Sequence, residues 1–542
     1  MISLDELVLA LQGALDRLVR RVRLGPAPQP GRRRLLIVQF DGVSRSVLEQ
    51  ALAKERTPFL KHLLGQYDYR LQPMNAGLPT STPAFQMAMM YGVQPDIPGF
   101  HYHDKRRRKD IHFPRAGHAA SVENEQARGQ PGIVTNGSTY GCVFTGGALN
   151  NLFTFTMLKR PTGAGLLRAL SAFVVLAWVI VKSVVLTGAE LIRALLRFLA
   201  DPAGERARGW KWFAIRIGVS VWVRELFTLA VSRDLYAGVP VIYVNYLDYD
   251  LFAHAYGPRH RRAFRALHRL DHSLEQLWRV LRRVPEHRYD LYLLSDHGQV
   301  DSTPYQRLSG GKPFERLFFE QFFPSLAPRQ ARPTRPQRRR LASGIKAIRQ
   351  DFEPGVFQRF VNYLEQGFPW VLGELPEARE DHGVRVVSGG PYAFVYFLDS
   401  EQPLTLMQID ERSPGLADEI SRSRGIGYVL ARTDDGPVCL WRGKAYRLTD
   451  DEPGPFAGRE DRALVLQGIR DLMAMPCAGD LVIHGNDSAD GNVSYIPEMG
   501  AHGGPSLDEI QVFIVHPPGI NLPSPIIHPT QLYPHFLAYQ EP

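Results

Sequence analysis

LYLLSDHGQV, residues 291–300, joins a run of apolar and aromatic side chains to Asp296, His297 and Gly298. The run predicts a buried strand. Side chains alternate between the two faces of a strand, so Asp296 and His297 could not both reach one ligand if the strand continued through them. The strand is therefore expected to end at Ser295, with Gly298 letting the chain turn. An Asp-His pair just past a strand end reads either as half of a metal site or as a polar loop. The neighbouring strands decide between the two.

Comparable runs lie at 35–40 (LLIVQF), 239–247 (VPVIYVNYL), 392–398 (YAFVYFL), 479–485 (GDLVIHG) and 511–516 (QVFIVH), with helical patterns between several of them, as at 262–284. Continuous apolar strands alternating with helices indicate an α/β fold whose central sheet is largely parallel and covered by helices on both faces. Three of these strands end on potential ligands. LLIVQF runs into Asp41-Gly42, VIYVNYL into Asp248-Tyr249-Asp250 with His254 beyond, and DLYLLS into Asp296-His297. In an open α/β sheet the ligand crevice lies beyond the carboxyl ends of the strands. Carboxylates crowded there repel one another unless one is protonated or divalent ions neutralise them. Asp, His and water suit zinc, and manganese also.

A hydroxyl cluster, Thr80, Ser81 and Thr82, stands between two prolines in LPTSTPAFQMAMMYG (78–92), directly before a helical pattern. Such a hydroxyl is either an N-cap or, aimed at a metal, a nucleophile with free backbone N–H groups nearby for a phosphoryl oxygen. GAHGG (500–504) sets His502 in a glycine-flanked loop before QVFIVH.

The ordered set Asp41-Gly42, Pro79-x-x-Thr82, Asp250-x-x-x-His254, Asp296-His297-Gly298 and His502-Gly503 resembles the alkaline-phosphatase superfamily. YDLFAHAYGP (249–258) is similar to the Asp-x-x-x-His-x-x-Gly-Pro segment of its type I phosphodiesterase/nucleotide pyrophosphatase branch. Each motif alone is weak, but five in order across residues 35–510 are specific. The resemblance implies an alkaline-phosphatase-like α/β fold carrying a helical apolar insertion and a cap region. It implies two divalent metal ions, zinc or manganese, one held by Asp41, Asp296 and His297 and the other by Asp250, His254 and His502. Thr82 would lie between them as nucleophile, giving a phosphothreonine intermediate that water then hydrolyses. The branch carries an Asn that contacts a phosphate oxygen, and that place falls near His103 in PDIPGFHYHDK (95–105), which makes His103 the candidate substrate contact. The Cys-x-Pro-x-Arg pattern of sulfatases is missing. NGSTYGCVFTGGA (136–148) lacks the GK[ST] ending of a nucleotide loop and reads as an ordinary loop near the site. The expected activity is hydrolysis of a phosphoric ester, a diester by preference. A phosphomonoesterase or head-group transferase of the same fold, or an inactive membrane-associated scaffold, is the alternative.

The 542 residues suit one large metallohydrolase domain from residue 35 onward, with an insertion at 160–235 and a loop and cap region at 320–475. Residues 3–24 carry apolar side chains at helical spacing, with acids early and arginines late. They predict an amphipathic helix that packs on the body or lies on a membrane surface, followed by a linker (GPAPQPGRRR); the segment does not read as a signal peptide. Residues 170–187 are apolar except for Lys182 and long enough to cross a membrane. A single crossing would separate strands that must share one sheet. Two crossings would carry Arg193, Arg197, Arg206, Arg208 and Lys211 to the far side, against the tendency of short basic loops. An insertion docked on one leaflet, at the cytoplasmic face, is preferred, with a lipid-derived or membrane-proximal substrate. The net charge of +9 and the basic stretch 329–340 lack an aromatic-interleaved surface or known module, so no nucleic-acid partner is expected. The three cysteines, Cys142, Cys439 and Cys477, are odd in number and far apart, which favours a reducing setting over a disulfide framework.

Overall fold

The computed structural model describes residues 33–113, 115–152, 181–188, 191–192, 218–323, 379–381, 383–449 and 451–540. The expected N-terminal helix, its linker up to residue 32, the basic stretch 329–340 and most of the insertion lie outside these residues. Strand β1, Arg34–Phe40, is buried along its whole length, as a strand covered on both faces must be. The other strands of its sheet are β2 (Arg70–Asn75), β3 (Ser138–Tyr140), β4 (Asn150–Leu152), β5 (Val241–Tyr246), β6 (Tyr289–Leu294) and β7 (Gln511–His516). Their order is β2-β7-β6-β1-β5-β3-β4. Every described pairing is parallel except the two made by β7, which runs antiparallel to β2 and β6.

Register fixes the site. Phe40 pairs with Tyr246 and Gln39 with Leu294. One step further along, Asp41, the start of helix α3 (Asp248–Tyr256) and Asp296 leave the sheet at the same edge. Of helices α1 (Pro58–Gln66) and α2 (Thr82–Tyr91), α2 begins near that edge with all ten residues buried.

Two core clusters sandwich this sheet. On one face Leu36, Val38, Ile242 and Leu293 meet Phe264, Leu267, Leu270, Leu274 and Leu277. Those five come from α4, Arg261–Leu281, whose buried residues recur at helical spacing as its sequence predicts. On the other face Leu35, Ile37, Tyr243 and Tyr292 meet Met87, Met89 and Met90 of α2.

Two of the six expected strands do not join this sheet. YAFVYF (Tyr392–Phe397) and LVIH (Leu481–His484) sit in a second seven-stranded sheet, antiparallel at every pairing, that spans residues 379–484. The cause is burial on both faces. Val386, Val395, Val429 and Ile483 pack on Phe318, Ile409 and Ile420, while Phe394, Tyr396, Leu430 and Val482 turn to the core shared with α2. Such strands show the same unbroken apolar run as a parallel core strand. QVFIVH does join the central sheet, but antiparallel.

Two further differences concern loops. The glycine-rich stretch 136–148 is not all loop, because Ser138–Tyr140 pairs with β5. The described end of the apolar insertion is packed in protein. In the helix Arg224–Ala237, Phe227, Val231 and Leu235 enter the core, and Arg224 is buried with Nη2 3.1 Å from Glu225 and Nη1 3.4 Å from Asp248. Among the described residues no helix is long and apolar enough to cross a membrane. All three cysteines are buried free thiols.

Candidate metal centre

Asp41, Asp296 and His297 each offer a ligand atom within 4.8 Å of the others, and so do Asp250, His297 and His502. The first group is buried, whereas Asp250 and His502 are half-buried. His297 belongs to both, with Nε2 3.6 Å from Asp41 and 3.5 Å from Asp296. Its ring stacks on His502 at a centroid separation of 3.7 Å. His254 stands at the margin. Its Nε2 lies 3.3 Å from Asp250 Oδ2 and its ring 5.0 Å from that of His502.

All three imidazoles are oriented alike. His254 Nδ1 lies 2.9 Å from the carbonyl of Gly500, His502 Nδ1 lies 2.8 Å from that of Thr80, and His297 Nδ1 lies 3.2 Å from that of Gly298. A ring nitrogen facing a carbonyl carries a proton, so in the neutral ring Nε2 keeps its lone pair. The Nε2 atoms of His297 and His254 face the carboxylates. Histidine metal ligands are held in this way. The Asp296 carboxylate adds a buried oxygen, Oδ2, with no hydrogen-bond partner. The donor set therefore fits divalent cations that accept Asp oxygen and His nitrogen.

The electrostatics of the protein alone tell the same story. Burial, then the neighbouring Asp296 and Asp250 charges, holds the Asp41 carboxyl well above the usual carboxylate range. Burial likewise raises Asp296. Burial would also raise Asp250, but His254, His502 and His297 outweigh it and hold that carboxylate below its ordinary value. Burial opposes charge on His254, yet Asp250 and Glu498 together hold it well above the usual range. His502 is driven well below by burial and by the two nearby imidazoles. Several anionic groups thus share one buried space with too little positive charge of their own.

Thr82 opens α2. Its N-cap, Ser81, makes no side-chain capping bond, and Thr82 Oγ1 lies 3.2 Å from His297 Nε2. The Thr82 hydroxyl is turned to the cluster, at a first turn that no side chain caps. Supporting residues invisible to motif reading complete the site. Asn245 donates to Asp41 Oδ2 at 2.6 Å, Gln299 donates to Asp250 Oδ1, and Glu498 Oε2 lies 2.7 Å from His254 Nδ1. Only Asn245 carried a signal, as a polar residue inside an otherwise apolar strand run.

His103 lies elsewhere. It belongs to the hairpin His101–Asp104/Lys109–His112, with Nδ1 2.8 Å from Asp110 and its ring against Tyr396 of the second sheet. None of its described partners is a cluster residue. Gly298 lies past the strand end with a φ that is not positive; glycine is needed there because a Cβ would fall 1.9 Å from the Asp508 carbonyl oxygen.

The family model for type I phosphodiesterase/nucleotide pyrophosphatase matches residues 35–316, just over half of the chain. That span holds Asp41, Thr82, Asp250, His254, Asp296 and His297. No curated protein matches the chain. Two solved structures of phosphonoacetate hydrolase from Sinorhizobium meliloti 1021, in complex with phosphonoformate and with phosphonoacetate, are similar over 94% of this chain and 96% of theirs, at 13% identity and TM-scores of 0.44 and 0.45. With the family model covering more than half of its length, the chain belongs to the type I phosphodiesterase/nucleotide pyrophosphatase family and is a phosphoester hydrolase.

Proposed function

We propose that the protein is a two-metal phosphodiesterase with Thr82 as its nucleophile. The observation that supports this reading is the Thr82 hydroxyl, which stands at the first turn of α2 and lies 3.2 Å from His297 Nε2. Asp41, Asp296 and His297 would hold one divalent ion, and Asp250, His502 and His254 the other, with zinc favoured by the mixed Asp and His donors. When bound, such ions supply Lewis-acid charge that lowers the pKa of a hydroxyl or water and offsets charge on phosphoryl oxygens.

The chain supplies orientation and the nucleophile. The uncapped first turn of α2 leaves the N–H groups of Thr82 and Ala84 free for a phosphoryl oxygen, since Pro83 has none. Thr82 Oγ1 forms a bond to phosphorus as the ester P–O bond breaks, and the electron pair leaves on the alcohol oxygen. The hydroxyl proton passes to water, and the leaving oxygen takes a proton from water or departs as the anion. Water then attacks phosphorus, the Oγ1–P bond breaks, and Thr82 regains a proton. No other hydroxyl among the described residues is hydrogen-bonded to His297 Nε2.

Acid quenching of the zinc-loaded enzyme during turnover of bis-p-nitrophenyl phosphate tests the covalent step. Mass spectrometry should find the p-nitrophenyl phosphoryl group, or its hydrolysed remnant, on the peptide containing Thr82. A peptide that stays unmodified under burst conditions counts against it. The rate ratio of this diester to p-nitrophenyl phosphate separates diesterase from monoesterase.

A membrane-proximal substrate is a second part of the proposal, supported by exposed aliphatic residues at Val181, Val184, Val185, Leu191 and Ile192. Patches of this kind mark contact surfaces. Flotation with anionic vesicles should carry the protein upward. A monomer that needs no detergent and stays at the bottom of the gradient removes this part and leaves the chemistry untouched.

A further inference from the structure

We infer that Thr80 is a positioning residue that ties His502 to the turn bearing Thr82. The inference rests on the two-metal reading above and adds a component that the metal ligands alone do not explain. Thr80 is fully buried and holds three consecutive residues of the His502 loop. Its carbonyl faces His502 Nδ1 at 2.8 Å. Its hydroxyl accepts from the Gly503 N–H at 2.8 Å and donates to the Gly504 carbonyl at 2.9 Å. One residue thus satisfies a ring nitrogen, a backbone donor and a backbone acceptor.

The loop needs such a tie. Gly503 adopts φ +125, and two glycines in succession give the segment little stiffness of its own. Tyr392 leaves no room for a stiffer residue, since a Cβ at Gly503 would lie 2.4 Å from its ring. Beyond Gly503 the chain is fixed again, where the Gly504 N–H donates to Glu509 Oε1 at 2.9 Å. His502 therefore lies on a soft span between firm points, and Thr80 grips that span.

Thr82 is two residues away, at the start of α2, so any shift of Thr80 moves the nucleophile and His502 together. Thr80 touches neither the proposed metal positions nor the phosphoryl group. It acts through the orientation of His502, whose Nδ1–H it accepts, keeping the Nε2 lone pair free. Serine would keep the hydroxyl. Valine keeps the shape of threonine but leaves the Gly503 N–H and the Gly504 carbonyl without this partner.

The test compares wild type, Thr80→Ser, Thr80→Val and His502→Ala, with the double variant Thr80→Val/His502→Ala. Zinc affinity is read by competition with a chromophoric chelator, and the His502 tautomer by ring 15N NMR on metal-free protein. Thr80→Val should weaken zinc binding by about 10- to 100-fold and lower kcat for bis-p-nitrophenyl phosphate more than it raises KM. It should also mix the His502 tautomers. Thr80→Ser should restore the Nδ1–H form and most of the affinity. In the His502→Ala background Thr80→Val should add little further loss, because the group it acts through is gone.

Wild-type affinity and tautomer in Thr80→Val, or an equal loss in both backgrounds, would overturn the inference. Should Thr80→Val fail to fold, Thr80→Ala removes the same two bonds without bulk against the loop and is judged by the same criteria. The two readings fail separately. A wild-type protein that binds no zinc refutes the two-metal reading, while the metal-free tautomer still judges Thr80.

Discussion

Gly42 follows Asp41 at φ +76, and a Cβ there would lie 2.5 Å from Asp250 Oδ1. Glycine is thus required twice, for backbone conformation and for the approach of a ligand from the next strand. Gly42→Ala should cost about 1–3 kcal/mol of stability and reduce bound zinc, as seen by denaturant melts and metal analysis. Wild-type values for both would show that Asp250 simply moves aside. Asp41, Asp250, Asp296 and His297 were legible because they follow strand ends in short polar motifs, and His254 and His502 because their motifs come in order with these. Of the residues that orient them, only Asn245 stood out. Asn245, Gln299 and Glu498 contact the ligands from positions whose spacing in sequence says nothing about proximity. Glu498 lies far along the chain from the His254 that it faces. Glu498→Gln, which removes charge but keeps a polar partner for His254 Nδ1, should lower zinc affinity by about tenfold. Unaltered affinity in a titration would reduce Glu498 to a packing role.

At the scale of elements, helix packing supplies its own capping. The helix Pro58–Gln66 has no side-chain bond from its N-cap, Thr57. Asp271, from the middle of α4, accepts from the N–H groups of Phe59 and Leu60 at 2.8 Å each. Burial pushes its carboxyl up to about 6 even though these N–H groups favour the anion. The folded value lies above the unfolded one, near 3.9, so the native state holds this proton more tightly. The contribution to stability is complete below about pH 4 and is lost as pH rises through about 6. Asp271→Asn keeps an acceptor and does not titrate. The stability difference between variant and wild type should therefore shift toward the variant by about 2–3 kcal/mol from pH 4 to 7. A difference that stays flat across that range would contradict the assignment. The sequence located all six strand runs and α4, because apolar periodicity follows from burial. It did not reveal which sheet Tyr392–Phe397 and Leu481–His484 join, because both faces of that second sheet are covered as well. The hairpin that carries His103 towards Tyr396 was hidden for a related reason, since its partner lies in that second sheet.

Over the whole molecule, residues of both sheets and of α2 share one core. The site at the start of α2 gathers three carboxylates, and burial with mutual repulsion holds Asp41 well above the usual range. Divalent ions should relieve that crowding and stabilise the fold. At a hundredfold excess over Kd, zinc should add about 2.7 kcal/mol, seen as a higher Tm that chelator reverses. A Tm indifferent to zinc and to chelator would leave the carboxylates without the proposed role. The central claim is that Thr82 attacks phosphorus within that site, and turnover of bis-p-nitrophenyl phosphate by zinc-loaded wild type and Thr82→Ala tests it most directly. The account predicts a loss of about a thousandfold or more in kcat for Thr82→Ala, with zinc content unchanged. Equal turnover by the two proteins would contradict it.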